Sequence, residues 1–335
     1  MQNAQFFKDK LFSLDAQNFE EHALSLFYWQ AKHNVVYRQY LSHLDVKAED
    51  IQRTTEIPFL PIAFFKHHKV ITQENVKDAS AYTYFESSGT TGQQKSRHYL
   101  NDADFYLQVC KKIFEEQYGE LSQFHIFALL PSYLERQHAS LVAMADYFIE
   151  QSQSNLSGFY LHNYDDLLEN MRKAKQSGCK VLLLGVTFAL LELAEKHRPN
   201  LEGIIVMETG GMKGRRKELI REELHQILKE NLQVDYIHAE YGMTELLSQA
   251  YAKQDGVFRS PPWMRILIRD INDPFSIDQH LRYGGINVID LANISSCAFI
   301  ETQDLGKYNT KNDTFEVLGR FDHSDVRGCN LMISL

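Results

Sequence analysis

Phe19, Ala23, Leu26, Phe27 and Gln30 recur at spacings of three and four, and Val36, Tyr40 and Leu44 continue the series. That period predicts helix, so residues 1–60 read as an N-terminal helical layer. Ile57-Pro58-Phe59-Leu60-Pro61 ends it, because each proline lacks a donor and biases the residue before it away from helix. Beyond it, apolar runs alternate with amphipathic stretches. Strands are predicted at Tyr82–Phe85, Phe124–Leu130, Lys180–Leu184, Gly203–Met207 and Val234–Ile237. Helices are predicted at Asp102–Tyr118, Ala139–Gln151, Tyr164–Gln176, Thr187–His197 and Arg215–Glu230. This alternation specifies an α/β fold. From Trp263 onward strand-like pieces dominate, at Met264–Ile268, Ile286–Leu291, Ala298–Ile300 and Phe315–Val317, predicting a smaller β-rich region beside the main sheet.

The chain's 335 residues suffice for one large domain with an appendage, or for two to three small ones. With 35 Lys+Arg against 44 Asp+Glu the net charge is −9, which argues against nucleic acid as a partner. The longest apolar run, Val181 to Leu191, falls short of the ~20 residues of a membrane span. The opening MQNAQFFKDKLF lacks an apolar signal core, so a cytoplasmic site is expected. Cys110, Cys179, Cys297 and Cys329 lie far apart, without zinc spacing or a disulfide framework, and the first three are expected to be buried. The adjacent His67 and His68 point apart on either helix or strand and are expected at the surface.

The segment richest in chemistry is Phe85-Glu86-Ser87-Ser88-Gly89-Thr90-Thr91-Gly92-Gln93-Gln94-Lys95-Ser96. After a strand, glycines free the backbone to turn its N–H groups inward, and hydroxyls add donors around an anion. A phosphate cradle is one reading and a plain Ser/Thr/Gly surface loop the other. It is not a Walker A loop, and no helical pattern follows Lys95. Further on, Ala239-Glu240-Tyr241-Gly242-Met243-Thr244-Glu245 follows an apolar run. A carboxylate at a strand's carboxyl end can hold Mg²⁺ and a tyrosine ring can stack on a base, or Thr244 can simply cap a helix.

In this order the two segments resemble the adenylate-forming superfamily of acyl- and aryl-CoA ligases, luciferases and peptide-synthetase adenylation domains. Gly210-Gly211-Met212 is similar to that family's adenine-side glycine segment, Thr302-Gln303-Asp304-Leu305-Gly306 to its ribose-binding segment, and Gly319-Arg320-Phe321-Asp322 to its hinge segment. By this resemblance Ser87, Ser88, Gly89, Thr90, Thr91, Gly92 and Lys95 hold the β,γ-phosphates of ATP, and Thr244 meets the charge at the α-phosphate. Glu245 binds Mg²⁺, Tyr241 and Gly210 to Met212 flank adenine, and Asp304 and Arg320 fix the ribose. Gln94, Ser96 and Gln303 depart from the usual pattern.

Pro131-Ser132-Tyr133-Leu134-Glu135-Arg136, Ile289-Asp290-Leu291-Ala292-Asn293 and Arg327-Gly328-Cys329-Asn330-Leu331-Met332 resemble the LuxE-type acyl-protein synthetases. That resemblance implies activation of a fatty acid as its acyl-adenylate, passage of the acyl group to Cys329, and delivery to a partner reductase or another acceptor protein. It also implies an adenylate-forming domain over residues 1–320 and a tail over 321–335, without the small mobile domain of most superfamily members. A phenylacetate-type CoA ligase and a nucleotide-binding subunit without catalysis are the alternatives.

Overall fold

The computed structural model describes residues 3–73, 82–87, 94–131, 138–210, 219–277, 281 and 283–321. Three helices begin the chain: α1 (Ala4–Leu11), α2 (Phe19–His33) and α3 (Val35–His43). The apolar period ran on past Gln30, yet the helix breaks at Asn34. There the backbone turns extended and the side chain caps α3 by accepting from the Tyr37 N–H at 3.0 Å. The proline segment supplies β1 (Leu60–Pro61), which pairs in parallel with a late strand, and then a single turn of helix, α4 (Phe64–His67).

An antiparallel hairpin follows, β2 (Thr83–Glu86) and β3 (Arg97–Leu100), with Glu86 opposite Arg97. Next come α5 (Ala103–Tyr118), β4 (Phe124–Leu129), α6 (Ser140–Ser152), β5 (Gly158–Tyr160), α7 (Tyr164–Lys175), β6 (Lys180–Val186), α8 (Thr187–Lys196), β7 (Ile205–Thr209), α9 (Arg221–Leu232) and β8 (His238–Tyr241). The strands β8, β7, β6, β4 and β5 lie side by side in that order, all parallel. Parallel strands are covered on both faces, which is why β4 and β6 read as nearly unbroken apolar runs.

Short antiparallel strands complete the sheet: β9 (Ala250–Ala252), β10 (Val257–Arg259), β11 (Met264–Arg269), β12 (Gly284–Asp290), β13 (Phe299–Asn309) and β14 (Thr314–Arg320). They extend the ladder from β8 in the order β9, β10, β14, β13, β12, β11. The β-rich region is therefore hydrogen-bonded into the main sheet, giving one mixed sheet flanked by helices. Gly285 is required where β12 passes the buried Arg269, because a Cβ there would lie 2.4 Å from the guanidinium carbon. Among the described residues no helix is long and apolar enough to cross a membrane.

The strand expected at Val234–Ile237 forms later, at His238–Tyr241. Gln233 takes a left-handed conformation that ends α9, and the Val234 N–H bonds the Lys229 carbonyl, so the apolar run closes a helix before a strand can start. Tyr241 consequently ends the strand itself.

Candidate active site

The β2–β3 hairpin carries the segment expected to cradle phosphate. Its neck is closed by two bonds: the Ser87 N–H donates to the Ser96 carbonyl at 3.0 Å, and the Ser96 N–H donates to the Ser87 hydroxyl at 2.9 Å. Ser88, Gly89, Thr90, Thr91 and Gly92 lie outside the described residues. Lys95 pairs with Glu86 at 2.6 Å, and Arg97 meets the other oxygen of Glu86 at 3.2 Å. The Lys95 hydrogen bond holds the Glu86 carboxyl below its ordinary range, with Arg97 assisting. Exposed pairs of this kind contribute at most about 1 kcal/mol.

β3 delivers its next residues to the turn after β8. No helix follows Thr244, so its reading as an N-cap fails; residues 244 and 245 form a turn. The Glu245 side chain is buried, and burial raises its carboxyl above the ordinary range while hydrogen bonding from Ser96 opposes this. His98, fully buried, sits with Nδ1 2.8 Å from the Thr244 carbonyl and Nε2 2.9 Å from Asn293 Oδ1. Asn293 in turn donates its amide to the Glu245 carbonyl at 2.8 Å. Asp290 accepts from the Leu247 and Ser248 N–H groups at 2.8 and 2.9 Å and from the Ser248 hydroxyl at 2.7 Å. The turn bearing Thr244 and Glu245 is thus held from both ends.

Glu245 has the chemistry of a magnesium ligand. Mg²⁺ is held by one or two carboxylates, with phosphate oxygens and water completing the octahedron. No group of three metal-binding side chains occurs among the described residues, and a site completed by nucleotide oxygens needs none. Burial that disfavours the bare carboxylate is relieved by a cation beside it.

A second group is built on Tyr241, the last residue of β8. The Tyr241 hydroxyl donates to Asp304 at 2.9 Å, and Arg320, opposite Asp304 in the ladder, lies 3.4 Å from the other carboxylate oxygen. Burial raises the Asp304 carboxyl, and Arg320 opposes that shift. The Tyr241 ring packs against Phe315 at 5.4 Å and Phe258 at 5.9 Å. Tyr241 is buried, and its hydroxyl holds the Asp304 carboxylate. Gly210 ends β7 with φ of +67°, and its carbonyl accepts from the Thr187 hydroxyl at 2.8 Å.

The structure brings together Ser87, Lys95, Thr244 and Glu245 through Ser96 and His98, and Tyr241, Asp304 and Arg320 through one hydrogen-bond chain. Gly211, Met212 and Cys329 lie outside the described residues. Cys110 and Cys297 are buried as expected, whereas Cys179 is exposed where the chain turns from α7 into β6. His67 and His68 are exposed as expected. Sequence reading missed His98, Glu240 and the supporting roles of Asp290 and Asn293. The polar positions within apolar strands, His98 in Arg97–Leu100 and Asp290 at the end of β12, were the available signal.

No family model matches the chain, and no curated protein matches its sequence. Among solved structures, 2-hydroxyisobutyryl-CoA ligase in its postadenylation state, in complex with R3-HIB-AMP, is similar with a TM-score of 0.67 at 11% identity, over 94% of this chain and 70% of that one. ATP-bound MatB from Rhodopseudomonas palustris is similar with a TM-score of 0.52 at 17% identity, over 71% of this chain and 47% of that one. An ATP-bound RpMatB-BxBclM chimera gives a TM-score of 0.53 over the same shares. The chain spans about half the length of these MatB structures. The α/β fold with its large mixed sheet matches the N-terminal part of adenylate-forming enzymes.

Proposed function

We propose that this protein activates a carboxylic acid with ATP as its acyl-adenylate and passes the acyl group to a thiol, in the manner of an acyl-protein synthetase. The observation that carries this reading is the convergence of the hairpin neck, through Ser96 and His98, on the Thr244–Glu245 turn. In-line displacement at phosphorus depends on positioning and on neutralising charge more than on covalent chemistry by the protein. Ser87 to Gly92 and Lys95 would hold the outer phosphates, and Thr244 the oxygen on which charge develops. Glu245 would hold Mg²⁺, which neutralises charge on the phosphates when bound. Asp304 and Arg320 would take the ribose hydroxyls, with Tyr241 fixing the Asp304 carboxylate, and Gly210 to Met212 would border the adenine.

The acid's oxygen bonds to the α-phosphorus as the bond to pyrophosphate breaks. A thiolate then attacks the acyl carbon and AMP leaves. We assign that thiol to Cys329, nine positions after Arg320, within reach of the nucleotide for an extended chain of at most roughly 30 Å. A reductase or another protein would accept the acyl group from it.

Acid-dependent ATP–pyrophosphate exchange tests the first half-reaction, and hydroxylamine-labile labelling of the protein tests the second. Cys329→Ser should retain exchange and lose the label. A Cys329→Ser protein that still gains one thioester per chain overturns the carrier assignment. Release of free acyl-CoA without self-labelling favours a CoA ligase, and absence of exchange with every acid overturns adenylation.

A further inference from the structure

Arg221 begins α9 and reaches two strands that are not neighbours in the ladder. Its Nη1 donates to Glu208 Oε1 of β7 at 2.7 Å, and its guanidinium carbon lies 5.1 Å from the centre of the Phe258 ring of β10. The strands β8 and β9 stand between those two. The arginine stem crosses Gly256, whose φ of +66° is one that L side chains rarely adopt and where an added Cβ would lie 2.4 Å from Arg221 Cδ. A turn without a side chain thus lies under this one arginine.

Each end of this bridge leads to a different part of the candidate site. Glu208 is buried, and the Thr187 hydroxyl lies 3.1 Å from its Oε2 and 2.8 Å from the Gly210 carbonyl, so the carboxylate sits at the base of the Gly210 turn. His225 Nε2 is 3.6 Å from Oε1, too far for a hydrogen bond, which leaves Arg221 as that oxygen's partner. At the other end Phe258 stacks on Phe315 at 5.3 Å, and Tyr241 packs against both rings while donating to Asp304. A guanidinium serves both ends at once: its edge donates and its face lies on a ring, in a fixed mutual orientation that a lysine ammonium cannot copy.

Resting on the adenylation reading above, which puts adenine beside Gly210 and the ribose on Asp304, we propose that Arg221 is a positioning residue for the nucleotide. It sets the spacing between the Gly210 turn and the Tyr241–Asp304 pair, and touches neither the acid nor the phosphorus at which reaction occurs. A residue of this kind acts on nucleotide held in the ground state and in the transition state alike, so its loss weakens the hold on ATP and leaves the chemical step at saturation as it was. An arginine that only stabilised the fold would behave differently: loosening the fold lowers the amount of active protein and leaves the affinity of what remains unchanged.

The test is calorimetric titration of the full chain with MgATP, together with ATP–pyrophosphate exchange on a panel of straight-chain and aromatic carboxylic acids. Arg221→Met should raise the Kd and the exchange KM for ATP by at least about fivefold, while kcat stays within about twofold and the KM for the acid does not move. Arg221→Lys, which keeps a charge beside Glu208 but cannot lie flat on Phe258, should fall between Arg221→Met and wild type, and it decides the matter if Arg221→Met does not fold. A folded Arg221→Lys protein with the wild-type Kd and KM for ATP overturns the proposal, and so does a loss confined to kcat or one shared equally by ATP and acid. Failure of the adenylation reading is a separate result: wild type that binds ATP but exchanges with no acid removes adenylation, and the Kd for ATP still decides the place of Arg221.

Discussion

Replacing Glu240 by glutamine should flatten the pH dependence of stability, whatever the acid turns out to be. The folded protein holds the Glu240 proton up to about pH 7, against the ordinary 4.5. Between those values the folded state binds more protons than the unfolded one, so stability falls as pH rises through the window. The contribution is fully present below pH 4.5 and gone above about 7. A shift from 4.5 to about 7 corresponds at most to roughly 3 kcal/mol, and partial contact with solvent brings this to about 2 kcal/mol. The assay is urea unfolding of wild type and Glu240→Gln between pH 4.5 and 8, read by the buried Trp29 and Trp263. Other titrating groups cancel in the difference between the two proteins. That difference should move by about 2 kcal/mol in the variant's favour as pH rises. A difference that stays constant with pH would show that Glu240 ionises normally and that its surroundings are wet.

Glu245→Gln should raise the Mg²⁺ concentration needed for exchange while leaving the unfolding midpoint unchanged; an unaltered metal dependence would reduce Glu245 to a structural part. His98→Ala should destabilise by about 2 to 4 kcal/mol, since it opens a cavity and removes the ring that lies between the Thr244 carbonyl and the Asn293 side chain. Urea titration checks this, and a loss under about 0.5 kcal/mol would show that the ring ties nothing together. Gly285→Ala should lower the thermal midpoint by several degrees, because its Cβ displaces the Arg269 guanidinium from the Ile286 and Thr302 carbonyls at 2.9 and 2.8 Å.

The parallel core was legible because each of its strands is covered on both faces. The apolar run at 124–130 became Phe124–Leu129, and the one at 180–184 became Lys180–Val186. The helices between them showed their period for the complementary reason, one wet face each. β9 and β10 escaped notice because strands of three residues carry too little pattern for alternation to register. β13 was seen only at its start because it runs on through the segment read as ligand-binding, so Asp304 sits within a strand and not on a loop. Around the Thr244–Glu245 turn, His98 and Asn293 were not singled out from the sequence. Their meaning lies in a pairing across 195 positions of chain, to which no local spacing points.

That pairing explains why a helical layer precedes the sheet at all. Gln30 of α2, fully buried, donates its amide to the Asn293 and Ile294 carbonyls at 2.9 and 3.0 Å and accepts from the Ala298 N–H at 2.9 Å. Asn34, where the helix breaks, donates to the Ser296 carbonyl at 3.0 Å, and the Thr72 N–H donates to the Ser295 carbonyl at 2.8 Å. The turn between β12 and β13 is therefore gripped by side chains some 260 positions earlier. It passes that order on through Asn293, which holds the Glu245 carbonyl and His98, and through Asp290, which holds residues 247 and 248. A turn held in this way keeps its side chains in place, because the geometry of a site is only as exact as the shell behind it. The helical layer therefore belongs to the site as much as the hairpin does: without α2 the turn behind Glu245 would lose its buried partners, and Thr244 and Glu245 would lose their fixed place beside the hairpin neck.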